Sequence, residues 1–79
     1  MIDVAQRSWA GGRVGRIEGG THRGMFCRVE EDASQTGFHI WLTERHPAEG
    51  PSPGWDIWAD TADDIDDWFV DELLAVRWL

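Results

Sequence analysis

Two stretches of this chain alternate apolar and polar side chains. Met25, Cys27 and Val29 are interleaved with Phe26, Arg28 and Glu30, and Phe38, Ile40 and Leu42 with His39, Trp41 and Thr43. A period of two puts one set on each face of a half-buried strand. The link over residues 31–37 is polar and ends in Gly37, which predicts a hairpin. One hairpin face is aliphatic and includes Cys27. The other carries Phe26, Arg28, His39 and Trp41. Residues 13–18 suggest a further strand, although Val14 and Ile17 do not share a period-two face, and Gly19-Gly20 ends it.

The second half changes period. His46 to Gly54 holds three prolines and two glycines and reads as a loop. Trp55 to Trp58 has the length of a short strand. Asp60 or Thr61 then caps a helix, with Asp63 or Asp64 as the acid of a capping box. That helix is expected to run to about Leu74, with Ile65, Trp68, Phe69 and Leu73 as its apolar side. Val76 and Trp78 alternate again, which returns the chain to the sheet. The expected architecture is α+β: a small antiparallel sheet of three to five strands with one helix packed on one face. Residues 1–79 make a single domain, with residues 1–12 as a flexible leader ahead of Gly11-Gly12. One helix covers one face only, so the face with Trp41, Arg28, Phe26 and Trp58 is expected to be partly open.

Charge sharpens this picture. Formal net charge is −8, and residues 51–79 hold eight acids against one arginine. Asp60, Asp64, Asp67 and Asp71 are spaced 4, 3 and 4 apart, a single stripe on a helix. Like charges so placed oppose helix formation by about 0.2–0.5 kcal/mol a pair. The helix dipole favours acids at its N-terminus, which accounts for Asp63 and Asp64 and not for Asp67 or Asp71. Folding gains little from such a stripe, whereas a basic protein partner gains a complementary surface and a faster encounter. The same charge disfavours direct nucleic-acid binding and anionic membranes. Tryptophan and arginine are enriched among interface hot spots. Asp60, Asp63, Asp64, Asp67, Asp71, Trp41, Trp58 and Arg28 therefore form the expected partner-binding set.

Catalytic chemistry finds no support in the spacing. Aspartates on one exposed stripe share one environment and all stay ionised, so they do not divide into acid and base. His22 and His39 flank different segments, and no nucleophile–base set follows. No phosphate-loop glycine pattern is present. His22, Cys27, His39 and His46 match no structural zinc spacing, so no metal or cofactor is expected. The single cysteine rules out an internal disulfide and fits a reducing, cytoplasmic setting. The first residues carry acid and arginine with no apolar run, so neither a signal peptide nor a membrane span is expected.

The succession Gly24-Met25-Phe26-Cys27-Arg28-Val29-Glu30-Glu31-Asp32, then Thr36-Gly37-Phe38-His39-Ile40-Trp41-Leu42, then Gly54-Trp55-Asp56-Ile57-Trp58 resembles small acidic bacterial immunity proteins over about residues 24–74. The family pattern has a second glycine where this chain has Phe38, and a shorter loop than the proline-rich segment here. The resemblance implies a non-enzymatic intracellular protein that binds and silences a toxin, typically a nuclease. Phage-encoded anti-CRISPR inhibitors that act as nucleic-acid mimics fit the same physical description. In both, carboxylates compete for the arginines and lysines of a nucleic-acid-binding protein. A homodimer paired through the tryptophan-bearing sheet face is the alternative from a different class.

Overall fold

The computed structural model describes residues 6–32, 34, 36–50 and 52–79. Five strands form one antiparallel sheet: β1 (Val14–Gly19), β2 (Phe26–Asp32), β3 (Gly37–Thr43), β4 (Gly54–Ala59) and β5 (Ala75–Trp78). Their spatial order is β4-β3-β2-β1-β5. The helix α1 (Ala62–Asp71) links the two edge strands and so must cross one whole face of the sheet. This is the expected α+β arrangement with the helix on one face. Among the described residues, no helix is long and apolar enough to cross a membrane.

Register explains which side chains meet the helix. Cys27 pairs with Leu42 and Val29 with Ile40, while Ile40 pairs with Ile57 and Ile17 with Val76. All of these point to the α1 side. Buried Ile17, Cys27, Val29, Ile40 and Leu42 form the floor of the core. Ile65 is its fully buried roof, and Trp68, Phe69 and Trp78 pack around both. Burying a side chain the size of Ile65 contributes about 1.5–3 kcal/mol. The aromatics reach across the layer edge-on, with Trp68–Phe69 and Phe69–Trp78 ring centres 5.3 and 5.8 Å apart. Such contacts let few residues fill a wide gap.

The strand at residues 13–18 is real despite its broken alternation. Gly15, not Val14, shares the inner face with Ile17, and a Cβ at Gly15 would overlap Val76 and the Trp78 ring. The inner position had to be empty for Trp78 to lie there.

The leader expected over residues 1–12 falls partly outside the described residues, at 1–5. Within the described part, Trp9 is only 3% exposed and belongs to the core cluster, edge-on to Phe38 at 5.6 Å. A 3₁₀ turn at Ala10–Gly12 then leads into β1. The chain from Trp9 onward is thus part of the folded unit.

The helix is shorter than its hydrophobic pattern suggests. It ends at Asp71, and Leu73, expected on the apolar side, is 78% exposed. The Leu74 amide bonds the Phe69 carbonyl and the Leu73 amide the Val70 carbonyl, both at 3.0 Å. That pattern is a Schellman motif, which places Leu73 at the left-handed position with φ 55°. Glycine takes this conformation freely, whereas a leucine loses roughly 1–2 kcal/mol to it. Leu73→Gly is expected to raise stability by about 1 kcal/mol, or about 4–8 °C in Tm for a domain of this size. A lower Tm would show that contacts of the Leu73 side chain outweigh the backbone strain.

Candidate functional site

The acidic helix begins at Thr61, whose hydroxyl accepts from the Asp64 amide at 3.1 Å. Asp60 lies before the helix, where its carboxylate accepts from the Trp58 indole at 2.8 Å. It therefore caps the β4 end instead of beginning the helical stripe. Asp63 and Asp66 face the N-terminal segment. Arg7 donates to Asp63 at 3.0 Å and also to Asp66, while the Trp9 indole donates to Asp66 at 2.8 Å. Asp63, expected to face a partner, is thus held by one of the chain's own arginines. Asp66, outside the expected partner-binding set, anchors the contact by accepting from both Arg7 and Trp9.

Asp64, Asp67 and Asp71 remain. All three are exposed, and among the described residues no basic side chain pairs with them. The last turn of α1 carries no basic residue, so Asp71 meets the negative end of the dipole without compensation. Val70, 70% exposed, lies on the Asp66 side of the helix, where it lines a groove with Ser8 and Trp9.

Trp41 and Arg28 are elsewhere. Arg28 pairs with Trp41 across β2 and β3, and Trp41 with Asp56 across β3 and β4, all on the face opposite α1. The expected set of partner residues is therefore split between two faces, and one flat partner cannot touch both at once. Trp58 is on the open face too, next to His39 in register, and reaches round the β4 edge to Asp60. Its indole lies over Gly37, where a Cβ would overlap the ring.

His39 organises the open face. Its Nδ1 is 2.8 Å from Asp56 and its Nε2 is 3.1 Å from Asp32. Its ring stacks on Trp41 at 5.8 Å and meets Trp58 edge-on at 5.0 Å. Hydrogen bonds to Asp56 first, then to Asp32, favour the imidazolium and raise its pKa above the ordinary 6.5. A raised folded-state value means that the His39 contribution is complete below pH 6.5 and is lost as pH rises through the folded pKa. Urea midpoints are therefore expected to fall across that window in the native protein, and His39→Gln should flatten this component. An identical pH profile in the variant would remove His39 from the account.

Two donors on this face have no acceptor among the described residues: Nε of Arg28 and Nε1 of Trp41, both buried. A buried unpaired donor costs about 1–3 kcal/mol. The nearest acid to Arg28, Glu30, is bonded through Nη2 at 3.4 Å and leaves Nε unserved. A cavity of about 310 Å³ opens beside these residues, between β2, β3 and the proline-rich loop.

The other histidines and the cysteine do not converge. His22 stacks on Trp68 at 5.8 Å and His46 meets Phe26 edge-on at 5.6 Å. Burial pushes the Cys27 thiol up to about 11, against a smaller opposing hydrogen bond with the Gly15 backbone, so it stays protonated. Asp32 and Asp56 sit at opposite nitrogens of one ring and do not point at a common centre. Among the described residues, no three such side chains are grouped to hold a metal ion.

Comparison of the chain with protein-family models, with curated proteins and with solved structures finds no match.

Proposed function

We propose that this protein is a non-enzymatic inhibitor that docks through the outer face of α1 on the cationic, nucleic-acid-binding surface of another protein. This is the role implied by its resemblance to immunity proteins, and a phage-encoded mimic of nucleic acid would use the same contact. One observation carries the reading. Arg7 neutralises the flank of the helix at Asp63 and Asp66, yet Asp64, Asp67 and Asp71 are left exposed without a cation among the described residues. Carboxylates one helical turn apart repel each other, and a row of lysines or arginines on a partner relieves that repulsion at contact.

The test is retention of a basic protein from the host on the immobilised chain, followed by assay of that protein's nuclease or nucleic-acid-binding activity with and without the chain. The expected result is inhibition that weakens as salt rises, because exposed charges are screened within about 10 Å at 0.1 M. Retention without inhibition, or inhibition indifferent to salt, would reject it. The competing homodimer would pair the open sheet face, where Trp41 and Trp58 lie, with the same face of a second copy. Light scattering separates the two: a dimer that persists at high salt and is lost in Trp58→Ala favours self-association.

A further inference from the structure

The open face of the sheet carries a feature that the acidic helix leaves unexplained. Its cavity of about 310 Å³ is lined by Arg28, Trp41, Thr43, Arg45, Pro47 and Ser52 among others. That volume lies at the small end of the range for ligand pockets. Arg45, Pro47, Gly50 and Ser52 form one wall, and the chain on either side of them is pinned. The Glu44 amide bonds the Pro53 carbonyl at 3.0 Å, the Arg45 amide bonds the Ser52 hydroxyl at 3.2 Å, and the Thr43 hydroxyl bonds the Arg45 carbonyl at 2.7 Å. A 3₁₀ turn at Pro47–Glu49, capped by the His46 ring, stiffens the middle. The concavity is therefore a built wall against a sheet.

Its chemistry is specific. The Arg28 Nε and Trp41 Nε1 donors are buried and unpartnered, and the Arg45 guanidinium has no carboxylate partner among the described residues. All three groups donate and none accepts, so the complement is an acceptor-rich, negatively charged group. The Trp41 ring is taken on one side by His39, two residues back along β3. Trp41 itself lines the cavity, together with Thr43 two residues forward. An indole face beside two guanidinium groups suits a flat ring through stacking and cation–π contact.

We propose that this cavity binds a small planar anion, an aromatic or heteroaromatic ring bearing a phosphate or carboxylate. The ring lies against Trp41, and the anionic group meets Arg28 and Arg45. The site is on the face opposite α1, so it stands or falls independently of the docking role of the helix.

Nitrogen-15 spectra of the whole chain read it directly, because the six indole N–H groups and the arginine Nε–H groups give separate signals. The probes are adenosine 5′-monophosphate and indole-3-acetate, which distinguish a phosphate source from a carboxylate source, with adenosine and inorganic phosphate as half-ligands. The expected result is a saturable shift of the Trp41 indole and Arg28 Nε signals with at least one complete probe, while the other five indoles hold still. Each half-ligand should bind about tenfold more weakly or worse. Arg45→Ala should weaken the complete probe about tenfold with the rest of the spectrum unchanged, and Trp41→Phe should retain part of the affinity through its ring. Silence of both signals at about 5 mM probe would mean that the cavity takes no such ligand, and the proposal fails. It fails equally if inorganic phosphate alone binds as well as the nucleotide, or if Arg45→Ala binds like the native chain.

Discussion

Trp9→Ala is expected to remove about 3–5 kcal/mol of stability, the loss typical of emptying a large aromatic site in a core. The residue is 3% exposed, packs edge-on to Phe38 and ties Asp66 through its indole. A 79-residue domain has roughly 4–12 kcal/mol in total, so the variant should sit near the edge of folding. Urea unfolding followed by circular dichroism reads this as a large fall in midpoint at nearly constant slope. Trp9→Phe should recover a good part of it, since the ring remains and only the indole donor is lost. A loss below about 1 kcal/mol for Trp9→Ala would place residues 6–12 outside the cooperative unit.

Replacing Asp64, Asp67 and Asp71 together by asparagine is expected to slow association with the basic partner about tenfold or more at low salt, with stability changed by less than about 1 kcal/mol. The stability term is small because two effects oppose. Relief of like-charge pairs contributes about 0.2–0.5 kcal/mol each, and loss of Asp64 from the first turn removes a favourable dipole contact of about 0.3–1 kcal/mol. Asp63→Asn with Asp66→Asn is the mirror case. These two hold Arg7, whose side chain is 8% exposed, so their neutralisation should destabilise the fold and leave association nearly unaltered. Stopped-flow association and thermal unfolding of both variants give four numbers. An unchanged association rate in the triple variant would reject the helix as the docking face.

The contrast between these two variants also shows how far charge patterning could be read from the chain. The 3 and 4 spacing of Asp64, Asp67 and Asp71 identified an acidic helix face, whereas Asp60, first in the 4, 3, 4 series, lies before the helix. Spacing alone could not tell Asp63, which Arg7 neutralises, from Asp67, which nothing among the described residues neutralises. Arg7 and Asp63 are 56 positions apart, and no local pattern couples positions so distant. Trp9 was missed for a similar reason: a lone aromatic before Gly11-Gly12 has no periodicity to announce it, and its burial depends on the gap left above Phe38. Leu73 continued the helical apolar pattern, but the C-terminal hydrogen bonds turned it outward.

The period of the side chains by itself determined the β2–β3 hairpin, the inner position of Cys27 and the outward face of Phe26, Arg28, His39 and Trp41. It also determined one helix on one side, because alternation and helical spacing are local properties of covalent geometry. Only the tertiary structure decided which charges are neutralised, that Trp41 and the α1 acids lie on opposite faces, and that Asp32 and Asp56 clamp His39 from both sides. Those outcomes depend on strand register and on a helix that crosses the whole sheet from edge to edge. Such long-range closures bring together groups whose separation along the chain carries no signal.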